Sequence, residues 1–396
     1  MMLKRFACAV SLGLLMASGA VSCVTHAPPI GGPPPAPTPP DAPAPVQPAP
    51  APAASAPAPV PASAALPERL SDQDFWKLVN ELSEPGGYFR SDTLLSNEVW
   101  LQYVIPDLMN VAKPGRVYLG VGPEQNFTYI AAIKPAMVFI TDVRRGNLDL
   151  HLMYKALFEM SADRAEFVGR LFSRKRPAGL TASSNVRDIF QAYASVPKDE
   201  ELFEKNFKAI VDHLRKTHGL PLDAEDEPGI KYVYTYFKEY GPDLTYWMSG
   251  NSFGGRGGFR NSPTYADLMV GTDGAGVLRS YLATEENFNV LKSLHTKNLF
   301  IPVVGNFAGP KALRAVGSWL KAHKGMVAAF YLSNVEQYLQ QDGIWMDFCK
   351  NALALPIDES SQFIRSFRPN GGGFGGGGAS LNQGIWPMHD DLKNCQ

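Results

Sequence analysis

The chain has 396 residues, 45% of them apolar and 19% charged, so a sizeable core can form and disorder throughout is excluded. Lys plus Arg number 37 against 38 for Asp plus Glu, a formal charge of −1, which excludes a generic nucleic-acid binder with its basic excess. Four cysteines are too few for a disulfide scaffold.

Lys4 and Arg5 precede an apolar stretch from Phe6 to Met16, followed by small residues up to Ser22. A basic start, a short apolar run and a small-residue zone predict a secretory signal peptide over residues 1–22, too short for a comfortable membrane span. Ala20-Val21-Ser22-Cys23 resembles a bacterial lipobox, which makes Cys23 the expected lipidation site. The other reading is an ordinary cleaved signal that contains a cysteine. Val24 rather than Asp follows Cys23, and by resemblance to Gram-negative sorting patterns this favours the outer membrane, facing the periplasm. The membrane is then a partner through the lipid anchor. The remaining ligand, a small molecule or an envelope component, is not specified by the sequence.

Residues 23–67 form the expected stalk: the Pro/Ala stretch 27–67 holds 17 of the 33 prolines. Such a composition forms no packed core and favours polyproline II, reaching on the order of 100 Å. Order is expected over 68–367, with a helical insertion at about 163–240 and a glycine-rich flexible tail over 368–396. Cys349 and Cys395 remain in the globular part, and the sequence leaves open whether they pair.

Ser71 opens a helix through Phe75, Trp76, Leu78, Val79 and Leu82. Ser96 is expected to cap a second, running through Val99, Trp100, Tyr103, Val104 and Leu108. Arg116–Gly120 reads as a buried strand and Met137–Asp142 as the next. Helices follow over Leu148–Met160, Ser161–Phe172 and residues 199–217. Leu244–Met248 and Ala266–Val270 look strand-like, and Thr284 caps a helix to about Leu294. Asn298–Val304 is a strand whose Pro302 predicts an edge or a bulge. Pro310 suits the start of a helix over Lys311–Ala322. Met326–Tyr331 is a strand, Ser333–Glu336 a capping box, and Ser361–Phe367 a last strand. Trp386 offers the tail a place to dock. The alternation predicts an α/β fold, a Rossmann-like and mostly parallel sheet with helices on both faces.

Gly120-Val121-Gly122 follows a strand, and Asp142 ends the next one, 22 residues on. Glycines admit a ligand close to the backbone, and an acid one strand over accepts ribose hydroxyls. At these residues the chain resembles class I S-adenosylmethionine-dependent methyltransferases, over residues 96 to about 367. Val117–Gly122 matches the first motif and Asp142 the ribose acid. Tyr265–Asp273 looks like the fourth strand and its loop, and Thr284–Leu294 with Leu299–Val304 like the next helix and fifth strand. The resemblance implies S-adenosylmethionine as cofactor. Gly120, Gly122, Glu124, Asp142 and Arg144 would lie at its site, and Thr272 and Asp273 would face the methyl group as catalytic candidates. The stretch LGVGPEQNFTYIA, Leu119–Ala131, also resembles a set of exported bacterial proteins, which implies no activity.

The chain departs from the methyltransferase pattern. Tyr118 stands where an acid is usual, and Glu124 where a third glycine is common. The dinucleotide fingerprint is incomplete too, with Gln125 at its last glycine. A carboxylate at 124 would repel the cofactor's own carboxylate unless it points away. S-adenosylmethionine is moreover a cytoplasmic metabolite. The leading expectation is therefore an envelope lipoprotein whose methyltransferase-like domain is non-catalytic or takes an altered ligand, with a true methyltransferase as the alternative. A serine hydrolase on Ser252, in Gly250-Asn251-Ser252-Phe253-Gly254, is a third reading that the poor helix signal after it disfavours. Arg144 and Arg145 read as a phosphate clamp or as ion pairs with Asp142 and Asp149. His151, Tyr154, Lys155 and Glu159 share a helix face. His213 and His218, five apart, do not, and with no metal-binding motif no metal site is expected. The glycine-arginine segment around Arg256 and Arg260 is too short to predict nucleic-acid binding.

Overall fold

The chain falls into two units, Met1–Val60 and Pro61–Gln396. A computed structural model describes residues 65–89, 91–248, 262–367 and 381–395, all in the second unit. The signal peptide, Cys23, most of the stalk, the Ser252 loop with Arg256 and Arg260, and the glycine tract lie outside the described residues. Among the described residues no helix is long and apolar enough to cross a membrane.

Six strands form one sheet: β1 Val117–Gly120, β2 Met137–Asp142, β3 Phe300–Val304, β4 Val327–Ser333, β5 Gln362–Phe367 and β6 Asn382–Pro387. Their order is β3-β2-β1-β4-β5-β6. The first five are parallel, and β6 returns antiparallel to β5. The fold is the expected Rossmann-like α/β sheet. The chain leaves β1 for β2 on one side and reaches β4 on the other. The topological switch point, where such sheets take ligands, thus lies at the carboxyl ends of β1 and β4.

Helices α1 (Asp72–Leu82), α2 (Ile105–Val111), α3 (Gln125–Ile133) and α4 (Arg145–Met160) come first. Between α4 and β3 run α5 (Arg164–Leu171), α6 (Val186–Ala194), α7 (Glu200–Asp212), α8 (Asp226–Tyr240), α9 (Tyr265–Val270) and α10 (Glu285–Thr296). Then follow α11 (Ala312–Ala322), α12 (Val335–Gln341), α13 (Trp345–Leu353) and α14 (Met388–Asp391).

Strand pairing aligns Phe139, Leu119, Phe330 and Phe363 on one face of the sheet. There Phe139 meets Trp319 of α11, and Phe363 meets Phe348 of α13. The other face carries Tyr118, Val138 and Phe300. On it Phe127 of α3 sits at the centre of an aromatic cluster, edge-on to Tyr154, Phe158, Tyr281 and Phe300 at 4.9–5.7 Å. Both faces are covered, which is why β1, β2 and β3 are buried from end to end. Phe127→Ala would leave a cavity at this centre and is expected to cost roughly 3–5 kcal/mol in urea unfolding. A cost below about 1 kcal/mol would contradict the packing.

Pro302 lies on the edge strand β3, as expected of a residue without a ladder donor. The open side of β3 is covered by the chain leaving α1. Glu84 N–H donates to Val304 O, and Ser83 Oγ accepts from Val304 N–H. Glu84 also caps α11, its carboxylate accepting from the N–H groups of Lys311 and Ala312 at 2.8 and 2.6 Å. Helices α4 and α8 approach so closely that a Cβ at Gly229 would lie 2.1 Å from Asp149 Oδ2.

Several expectations are corrected. The helix expected from Ser96 begins only at Ile105, because Pro106 suits a first turn and not an interior. Leu244–Met248 is a single bridge at Thr245 and a short 3₁₀ turn. Ala266–Val270 is helix α9, not a strand: Thr264 and Asp267 form a capping box around its first turn. Leu299–Val304, expected as the fifth strand, is β3 on the opposite half of the sheet. Ser333 does not cap α12, since its hydroxyl is engaged elsewhere. The tail does dock, through β6, where Trp386 faces Phe363. Cys349 and Cys395 are joined by a disulfide.

Candidate functional site

The pairing of Gly120 with Ile140 sets the loop after β1 beside the end of β2, so Gly120 and Asp142 lie at the same, carboxyl end of two adjacent strands. Gly122 has φ 76°, which glycine takes without strain. Gly120 is required for a different reason. A Cβ there would lie 2.1 Å from Asn126 Oδ1. The Asn126 amide donates to Val121 O and Pro123 O at 2.8 Å each, and its oxygen accepts from Tyr118 O–H at 2.9 Å. His151 Nε2 donates to Gly122 O at 3.0 Å. Burial holds this imidazole neutral, its pKa pushed down to about 4. The loop is thus tied to the protein's own side chains.

Asp142 is closed in the same way. Its Oδ1 accepts from Arg144 N–H and Nε–H, both at 2.9 Å, and its Oδ2 accepts from Arg144 Nη2–H at 2.7 Å. The guanidinium also donates to the carbonyls of Ser91 and Asp92. Arg144 is therefore not a free clamp for a ligand anion; it neutralises the acid expected to hold ribose. Arg145 turns instead to Asp223 and Asp226, and not to Asp149.

Glu124, the third residue expected along this loop, is turned inward. It is fully buried, with Oε1 accepting from Ser96 N–H at 3.3 Å and no partner for Oε2 among the described residues. Burial pushes its pKa up to about 8, so a neutral carboxyl points into the core. Thr272 and Asp273 follow helix α9 and not the fourth strand. The carboxylate of Asp273 braces its own loop, accepting from the N–H groups of Ala275 and Val277 and from Arg279 Nε. A methyl-facing role for the pair is not supported by this placement.

Strand β4 ends at Ser333, with φ 51°. Here the structure supplies a residue that sequence reasoning missed. Glu98, 1% exposed, accepts from Tyr331 O–H at 2.6 Å, Ser333 O–H at 2.8 Å and Gln383 Nε2 at 3.3 Å. Gln125 donates on to Tyr331 Oη at 2.8 Å. Burial raises the Glu98 carboxyl, and these donors moderate the rise. A polar chain thus crosses the switch point from α3 to β6. The signal was a single acid within the apolar stretch 94–103.

A second constellation lies elsewhere. Glu159, near the end of α4, meets His213 and His218, with Lys155 on its other oxygen. The histidines flank a π-helical turn, His213–Thr217, closed by His218 N–H to His213 O. The α-helical spacing assumed for them does not hold there, and their rings stand 4.9 Å apart.

Fold and crevice define a Rossmann-like α/β domain whose ligand end is braced from within. The chain belongs to the family described as a domain of unknown function, DUF7790, whose model matches residues 93–226 and 262–389. The matched segments include Gly120, Asp142, Arg144 and the Glu98 network, and also Glu159, His213 and His218. No curated protein matches the chain.

Proposed function

We propose that the chain is an exported, lipid-anchored envelope protein. Its domain, of the class I methyltransferase type, does not use S-adenosylmethionine and serves as a binding module, without a ligand at the first-strand loop or with a different one. The observation that carries this reading is the Asp142–Arg144 pair. A ribose hydroxyl needs an open carboxylate, and all three close donors to Asp142 come from Arg144. Breaking such a buried pair leaves a stranded charge, at a cost of several kcal/mol. The Asn126 brace over Gly120 and the inward Glu124 point the same way. The Cys349–Cys395 bond agrees with an oxidising compartment, and the sequence before residue 68 with a signal and a stalk.

Titration calorimetry with S-adenosylmethionine and S-adenosylhomocysteine is expected to give no binding heat at millimolar ligand. Micromolar affinity for either would overturn the reading. Labelling of cells with a fatty-acid analogue is expected to mark the wild type and not Cys23→Ser. An unlabelled cytoplasmic wild type would remove the envelope assignment.

A further inference from the structure

We propose that Glu159, His213 and His218 form a binding site for a divalent transition-metal ion of the zinc class, with Asp72 as the residue that orients His218.

Three donors converge. The Nε2 atoms of His213 and His218 lie 2.6 and 2.5 Å from the same oxygen, Glu159 Oε2. The donor atoms of the three residues all fall within 4.8 Å of one another. Two imidazoles and one carboxylate are a ligand set that suits zinc, and three protein ligands leave one tetrahedral position for solvent. The side chains are 17%, 11% and 7% exposed for His213, His218 and Glu159, so the cluster is partly buried and lies near the surface.

The backbone is shaped to bring them together. Residues five apart on an α-helix stand about 140° from each other. The π turn removes that separation, and such turns are rare and frequently found at functional sites. The outer layer is also present. His218 Nδ1 lies 2.6 Å from Asp72 Oδ1, and Asp72 accepts from Asn298 Nδ2 at 2.8 Å. A carboxylate on Nδ1 fixes the tautomer that offers Nε2 to a metal. Lys155 Nζ donates to Glu159 Oε1 at 2.7 Å, which leaves Oε2 as the single coordinating oxygen. Its charge is shared with Asn298 Oδ1 and the His295 carbonyl, at 2.6 and 2.8 Å. The ammonium lowers the affinity below that of an uncharged surround, since it repels the ion.

The direct test uses the full chain after chelator treatment and dialysis. Calorimetry with zinc chloride is expected to give one site per chain, and cobalt(II) the visible absorption of a tetrahedral histidine-containing centre. His213→Ala and His218→Ala should each abolish the cobalt signal. Asp72→Asn should weaken zinc binding 10- to 100-fold while keeping the signal. His389→Ala, at an exposed histidine outside the cluster, should change nothing. Far-ultraviolet circular dichroism checks that each variant folds. A wild type that takes up no zinc overturns the proposal and leaves the cluster as an ion-pair network. So does binding that survives the His213→Ala/His218→Ala pair. Because the readouts are metal uptake and spectrum, they do not depend on the envelope or cofactor reading.

Discussion

Removing the Cys349–Cys395 bond is expected to lower the unfolding free energy by about 4 kcal/mol, the chain-entropy value for closing a loop of this size. The bond spans 46 residues and ties the end of the chain to α13. What it holds in place is β6, the only antiparallel strand among the described residues and an edge of the sheet. Other contacts also hold this end of the chain. Met388 is fully buried, Met388 N–H donates to Ser361 O, and Arg365 pairs with Asp391. The expected pattern is therefore a protein that stays folded when reduced but melts several degrees lower. Calorimetry on Cys349→Ala/Cys395→Ala against the wild type measures the loss. Hydrogen exchange should quicken first in residues 382–387, ahead of β1 and β2. Equal melting midpoints with and without the bond would contradict this account.

Stability should decline from pH 6.5 toward pH 8. Burial keeps Glu124 protonated up to about pH 8, and burial together with Asp226 does the same for Asp149. In the unfolded chain these groups titrate near 4.5 and 3.8. The folded state keeps protons that the unfolded chain releases. Each group's contribution is thus complete below its unfolded value and lost as pH rises to about 8, at about 1.4 kcal/mol per pH unit. Burial also depresses His151 to about 4 and His295 well below 6.5. Their contribution is complete above 6.5 and lost as pH falls. Below 6.5 the two pairs oppose each other; above it the carboxyls act, and His218, which against the effect of burial its hydrogen bond to Glu159 holds above the ordinary imidazole value, loses its contribution in the same direction. Between pH 6.5 and 8 the two carboxyls account for a loss of up to about 4 kcal/mol. Urea midpoints at pH 5.5, 6.5 and 8 measure it, and Glu124→Gln should roughly halve the alkaline slope. A midpoint at pH 8 equal to that at 6.5 would refute the assignment.

Which parts of the fold are legible in the sequence depends on the range of the interaction. Thr284 and Ser71 can be read as caps because their partners lie three residues away. Pro302 announces an edge strand because a missing donor is a local fact. Ala266–Val270 reads wrongly as a strand because five residues show no clear period, although Thr264 and Asp267 carry the helix signal. That error promotes β3 to a later strand and leaves Val327–Ser333 without its place as the fourth. At the site, Gly120 and Asp142 are legible from the spacing of strand and loop. The closure of Asp142 by Arg144 is not, since an ion pair and a ligand clamp need the same residues. Glu98 meets Tyr331 across 233 positions, which no local pattern encodes. His213 and His218 look separate only under α-helical geometry, where the backbone in fact takes a wider turn.

The brace over the first-strand loop bears on how such chains are recognised. Asn126 needs the bare backbone of Gly120 whether or not anything docks there. Folding alone can therefore maintain the fingerprint after its ligand has gone. A search keyed to glycines returns the same answer for an occupied crevice and a self-filled one; the residue that tells them apart is the asparagine six positions downstream.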